Sequence, residues 1–115
     1  RARIPVTLHI NGDAYPLPPD VQIAFYRVAQ EALNNIFKHA EATRIDVQLD
    51  YHNDHVEMTI TDDGCGFDPD CVSAESLGLK IMRERAEGIG AVFAVASSLE
   101  DGTRVSLRWS AGDRQ

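Results

Sequence analysis

The chain has 115 residues, 43% hydrophobic and 25% charged, the proportions of a single ordinary globular domain with a sizeable core. A formal charge of −7 argues against a nucleic-acid partner, because phosphate backbones need a basic footprint, and leaves small phosphate ligands to local donors and a metal. No apolar run approaches the ~18 residues of a membrane span, and two cysteines do not make a disulfide scaffold.

Ile4, Val6, Leu8 and Ile10 alternate and predict a first strand. Asn11-Gly12-Asp13 is turn chemistry, and Pro16, Pro18 and Pro19 keep the chain extended up to Asp20, a candidate helix N-cap. From Val21 to about His39 the apolar residues recur at helical spacing, with Val21, Phe25, Val28, Ala29, Ala32, Leu33, Ile36 and Ala40 on one broad face. Two period-2 runs follow, Ile45 to Tyr51 and Val56 to Ile60, around a turn at Asn53-Asp54. Next comes a loop from about Asp68 to Ser76, then a helix from Leu77 to about Gly88. Ala91 to Ser97 and Thr103 to Trp109 form a last hairpin, and 111–115 is a polar tail. Paired strands joined by short turns are antiparallel. The expected fold is therefore α+β, a two-layer sandwich of a mixed, mostly antiparallel sheet with helices on one face. The chain opens on Arg1-Ala2-Arg3 without an initiator methionine, which we read as a piece of a longer protein, its domain spanning 1–110.

Three clusters carry candidate chemistry. Glu31, Asn35 and Lys38 stand at i, i+4 and i+7 on the long helix: an acid, a neutral oxygen ligand and a cation in one stripe. Alone, that stripe reads as a solvated helix face. Functionally, Asn35 offers an amide oxygen to Mg²⁺, Lys38 neutralises a phosphate, and Glu31 orients or deprotonates a group beside the γ-phosphate. The second cluster, Asp62-Asp63-Gly64-Cys65-Gly66, ends a strand. Alone it is an acidic turn, and its spacing does not make a calcium loop. An inward carboxylate there can accept a hydrogen bond from an exocyclic amine such as adenine's, with glycines letting a flat ring approach the backbone. The third, Leu77-Gly78-Leu79, opens a helix and offers free N–H groups to phosphate. Neither a P-loop nor a dinucleotide-binding glycine motif is present. His52, His55, Cys65 and Cys71 could be written as a zinc set, but their spacing matches none of the usual patterns.

In this order and spacing, the clusters resemble the ATP-binding domain of the GHKL (Bergerat-fold) superfamily, and more narrowly the catalytic domain of sensor histidine kinases of the nitrate-sensor type. Gln30-Glu31-Ala32-Leu33-Asn34-Asn35 with Lys38-His39-Ala40 resembles the N box. Asp62-Asp63-Gly64-Cys65-Gly66-Phe67 resembles the first glycine box. Leu77-Gly78-Leu79 with Met82-Arg83-Glu84-Arg85-Ala86 resembles the second, and Asp101-Gly102-Thr103 the last.

The resemblance implies ATP and Mg²⁺ as cofactors. It makes Asn35 the metal ligand and gives the adenine amine to Asp62, with Gly64 and Gly66 shaping its pocket. Lys38 and His39 would lie near phosphates or ribose, Leu77, Gly78 and Leu79 would begin the helix that meets the phosphates, and Thr103 would line the adenine end. Glu31 is a catalytic candidate that either activates a nucleophile or polarises the metal shell. The chain departs from the family pattern at Ser76, where glycine is usual, at Glu100 or Asp101, where the last box lacks its first glycine, and at Gly88-Ile89-Gly90-Ala91. The implied reaction is transfer of the γ-phosphoryl of ATP to a histidine on a separate dimerisation domain of the parent, for relay to a response regulator. His9, His39, His52 and His55 are poor acceptors by context. The implied location is cytoplasmic, with no direct membrane contact by this domain. An anti-sigma-factor-type serine kinase and a nucleotide-free interaction module are the other uses of such a fold.

Overall fold

In the computed structural model, residues 4–40, 42–64, 74–98 and 102–110 are described, with backbone alone at 39–40, 74–77 and 98. The chain runs β1 (Val6–Asn11), α1 (Pro19–Asn35), a π-helical turn (Ile36–Ala40), β2 (Ile45–Tyr51), β3 (His55–Asp62), α2 (Ala74–Gly88), β4 (Val92–Ser98) and β5 (Gly102–Ser110). The five strands form one sheet in the order β1-β2-β3-β5-β4. β1 and β2 are parallel, which demands a crossover, and α1 supplies it. The β2–β3, β3–β5 and β5–β4 pairs are antiparallel. This is the expected α+β architecture, with both helices on one face.

Three helix boundaries differ from the sequence expectation, and the strands other than β2 shift by one or two residues at their ends. α1 begins at Pro19 with Pro18 as its cap, two residues before the expected cap Asp20. Proline suits that first position because its fixed φ is helical and it has no N–H to leave unsatisfied. The Asp20 carboxylate instead accepts the Val21 N–H at 2.9 Å. The α-helix stops at Asn35, and residues 36–40 turn with π geometry. α2 begins at Ala74, three residues before Leu77, so Gly78 lies inside the helix rather than at its mouth.

The core lies between the layers. Val21, Phe25, Val28 and Ala32 descend from α1, Ile36 from the π turn that follows it, and Met82 and Ala86 from α2. They meet Ile45, Val56, Met58, Ile60, Phe93, Val105, Leu107 and Trp109 of the sheet. Burying one such aliphatic or aromatic side chain contributes roughly 1.5–3 kcal/mol. The alternation of β1 is real but stays exposed, Leu8 at 58% and Ile10 at 54%. β1 is an edge strand, and α1 packs chiefly on α2, β3 and β5. At the far end of the β2–β3 hairpin, the Tyr15 hydroxyl donates to the carbonyls of His52 and His55, at 2.7 and 3.1 Å, and the two imidazoles stack 4.3 Å apart. Cys65 and Cys71 lie outside the described residues. Among the described residues, no helix is long and apolar enough to cross a membrane.

Candidate nucleotide site

One end of the sandwich gathers the candidate residues. The C-terminal end of α1, the first turns of α2, the end of β3 and the starts of β2 and β5 all lie there. The registers Ile45↔Asp62 and Asp62↔Thr103 tie the three strands together.

Glu31 and Asn35 sit one turn apart on α1 and both reach α2 at Gly78. A β-carbon built on Gly78 would stand 2.8 Å from Glu31 Oε2 and 2.8 Å from Asn35 Nδ2, with Asn35 Oδ1 at 3.3 Å. The Glu31 and Asn35 side-chain ends can lie in this position only because residue 78 has no side chain. Both polar residues are half-buried, so their oxygens are hard donors held on the α2-facing side of α1, a set suited to Mg²⁺. Lys38 falls on the π turn, where the α-helical phase that defined the stripe no longer runs, and it is exposed. π turns of this kind recur at functional sites. The side chains of His39 and Leu77, and all of Gly66, Glu100 and Asp101, lie outside the described residues, as does the side chain of Ser76. Leu79 is half-buried against the core.

The base end is built around Asp62, which is 4% exposed. Its Oδ1 accepts the Gly64 N–H at 2.8 Å, closing a tight turn at the strand end. Its Oδ2 is buried and has no hydrogen-bond partner among the described residues. Burial pushes the carboxyl above its ordinary range. The Gly64 N–H offsets part of this, the Asp63 charge adds to it, and the Thr103 backbone amide across the ladder opposes it weakly. A buried acceptor without a donor is costly, on the order of 1–3 kcal/mol, so its retention here marks a place where a donor is wanted.

Gly102 closes the other side. Its φ is +83°, and an added β-carbon would collide with the Asp62 carbonyl oxygen. Thr103 follows it, half-buried, with its hydroxyl 2.8 Å from Ser97 Oγ.

One element escaped the sequence reading. The Asp63 carboxylate takes hydrogen bonds from the Thr43 N–H at 2.8 Å, the Arg44 N–H at 3.0 Å and the Thr43 hydroxyl. These donors hold its pKa down to about 2, with the Thr43 hydroxyl the largest cause. The signal in the sequence was an acid after one strand and a threonine two residues before the strand it pairs with. Reading it required the hairpin register.

A family model described as "Histidine kinase-, DNA gyrase B-, and HSP90-like ATPase" matches residues 20–113. The chain belongs to this ATPase family. Membership in the histidine kinase-like ATPases implies ATP binding, and the glycines and Asp62 described above lie within the matched span. Among sequence relatives, the sensor protein VraS of Staphylococcus haemolyticus (strain JCSC1435) and that of Staphylococcus aureus (strain COL) are each 33% identical over 106 residues, 92% of this chain. The chain spans about 30% of the length of these relatives. The histidine kinase domain of the Erythrobacter litoralis EL346 blue-light activated histidine kinase superposes with a TM-score of 0.72 at 25% identity, over 95% of this chain and 53% of that one. The mycobacterial sensor histidine kinase MprB aligns at 0.64 and 19% identity, over 91% and 81%, a likeness of fold alone. This histidine kinase-like ATPase domain therefore has the fold of histidine kinase domains.

Proposed function

We propose that the domain is the ATP-binding catalytic domain of a sensor histidine kinase of the nitrate-sensor type. The observation that carries this reading is Asp62 Oδ2, a buried carboxylate oxygen with no donor among the described residues. The adenine amine is such a donor, and guanine presents a carbonyl at the same ring position, which the carboxylate would repel. In this reading Gly64 and Gly66 would shape room for the ring, and Thr103 would line the adenine end from β5. Asn35 would hold Mg²⁺ through its amide oxygen, with Glu31 orienting the ion's water shell. When bound, that ion neutralises phosphate charge. By the family resemblance, Lys38 and His39 would lie near the phosphates or ribose, and the α2 segment Leu77, Gly78 and Leu79 would begin the stretch that meets them.

In the proposed reaction an imidazole nitrogen attacks the γ-phosphorus. A P–N bond forms, the β–γ bridging P–O bond breaks, and ADP leaves. Positioning and charge neutralisation dominate such catalysis. His52 and His55 stand at the opposite end of β3 from Asp62, about 23 Å of strand away by 3.3 Å per residue, and His9 lies on the exposed edge strand. The acceptor belongs to a separate dimerisation domain of the parent, and a response-regulator aspartate receives the phosphoryl group next. The domain works in the cytoplasm.

Calorimetric titration with ATP, with and without Mg²⁺, tests the reading. Wild type is expected to bind. Asp62→Asn is expected to abolish most of the affinity, and Asn35→Asp to change its dependence on Mg²⁺. A wild-type chain that binds no ATP overturns the function, and Asp62→Asn binding like wild type overturns the adenine assignment.

A further inference from the structure

We propose that Asp63 is a positioning residue for base recognition, holding Asp62 in aim through a clamp on Thr43 and Arg44. The inference rests on the adenine role of Asp62 and goes one step behind it. Asp62 is the last residue of β3, where a strand end would ordinarily fray. Its neighbour Asp63 leaves the strand and turns its carboxylate to the segment that enters β2, taking two backbone N–H groups and one hydroxyl there. Side chains alternate along a strand, so the residue after Asp62 anchors to the outside while Asp62 itself points inward. On the other flank, Gly102 lets the β5 backbone press against the Asp62 carbonyl and the Asp63 Cα.

The Asp62 main chain is thus gripped from β2 and from β5. Among the described residues its buried side chain is tied chiefly by the Gly64 N–H, on the oxygen that does not face the missing donor, with the Thr103 backbone amide acting on it only weakly. Such a carboxylate keeps its direction only if its backbone is held, and a small misplacement of a recognition group loses much of its effect. The clamp also joins the exit of the π turn, which carries Lys38, to the strand end that carries Asp62.

The test compares ATP with ITP, whose base lacks the exocyclic amine, on the full chain at neutral pH. Wild type is expected to prefer ATP by at least about tenfold, the worth of one hydrogen bond to a charged acceptor. Asp63→Ala removes the clamp, and its ATP/ITP ratio is expected to fall to within about threefold of one. Asp63→Asn is expected to restore most of the ratio. Its amide oxygen can still accept both N–H groups, and its NH₂ can donate to the Thr43 hydroxyl. Thr43→Val, which removes one donor at constant shape, is expected to lie between. A general structural defect would weaken both nucleotides equally and leave the ratio intact, and that result overturns the inference. Should Asp63→Ala fail to fold, Thr43→Val decides alone, and a wild-type ratio in it also overturns the clamp. A wild-type chain that binds neither nucleotide overturns the function itself and the clamp with it. A discriminating wild type beside an equally discriminating Asp63→Ala overturns only the clamp.

Discussion

Gly78 of α2 is the surface against which Asn35 of α1 lies, with no room for a methyl group between them: its β-carbon would stand 2.8 Å from the Asn35 amide nitrogen. Two motifs forty-three positions apart in sequence therefore form one contact, the one that sets the direction of the metal-binding candidate.

Gly78→Ala separates site geometry from stability. Alanine favours a helix interior over glycine by about 1 kcal/mol, and the atoms in its way are side-chain ends that can swing aside. The melting temperature is expected to hold or rise. Displacement of Glu31 and Asn35 is expected to weaken Mg·ATP binding roughly tenfold. Thermal melts and calorimetry on the same samples check this, and unchanged binding would remove Gly78 from the site.

The two neighbouring aspartates should respond oppositely to pH. Asp62 has its folded pKa raised above 3.8 by burial, so its contribution to apo stability is fully present below 3.8 and is lost as pH rises through the folded value. Asp63 is lowered to about 2, so its contribution is present above 3.8 and is lost as pH falls toward 2. Urea midpoints across acidic pH should show Asp62→Asn at least as stable as wild type near neutrality, with that advantage shrinking toward 3.8. The wild-type advantage over Asp63→Ala should vanish between 3.8 and about 2. Parallel curves for the two variants would contradict both assignments.

ATP affinity should itself fall at acid pH. Asp62 must be an ionised acceptor for full effect, and affinity is expected to drop as pH falls through its raised folded pKa, while Asp62→Asn shows no such drop. A fluorescent nucleotide titrated across that window reads the difference.

Gly12 and Gly102 offer a matched pair. Both have φ of +83°, and in each a β-carbon would collide with a backbone carbonyl oxygen, of Tyr51 and Asp62 respectively. Alanine at either is expected to destabilise by about 2–4 kcal/mol. Only Gly102→Ala should also reduce the affinity of the surviving folded fraction, because only its carbonyl neighbour belongs to the base-binding residue. Equal affinity in the two variants would detach Gly102 from the site.

The candidate site was only partly legible. Asp62 stands out only in combination, because an acid closing a β-run before glycines reads alone as an acidic turn and gains meaning beside the other clusters, and Asn35 because α-helical spacing carries it onto the Glu31 face. The same spacing predicts Lys38 on that face, but α-helical spacing stops at Asn35, where the backbone turns π. The sequence places Gly78 at a helix mouth, and the structure puts it against Glu31 and Asn35 inside α2. No local pattern announces that a glycine faces another helix.

Apolar periodicity together with turn and proline chemistry determined the order and type of the strands and helices, because both act locally along the chain. It also determined that the β2–β3 and β4–β5 pairs are antiparallel, since short turns allow nothing else. Only the tertiary structure decided that β5 enters the sheet between β3 and β4 and that β1 joins in parallel at the edge. That order sets Thr103 and Gly102 beside Asp62, and it leaves the apolar side chains of β1 exposed. Strand order arises from packing among residues far apart in sequence, which no local spacing encodes. The Asp63 clamp has the same origin: it depends on a register between two strands.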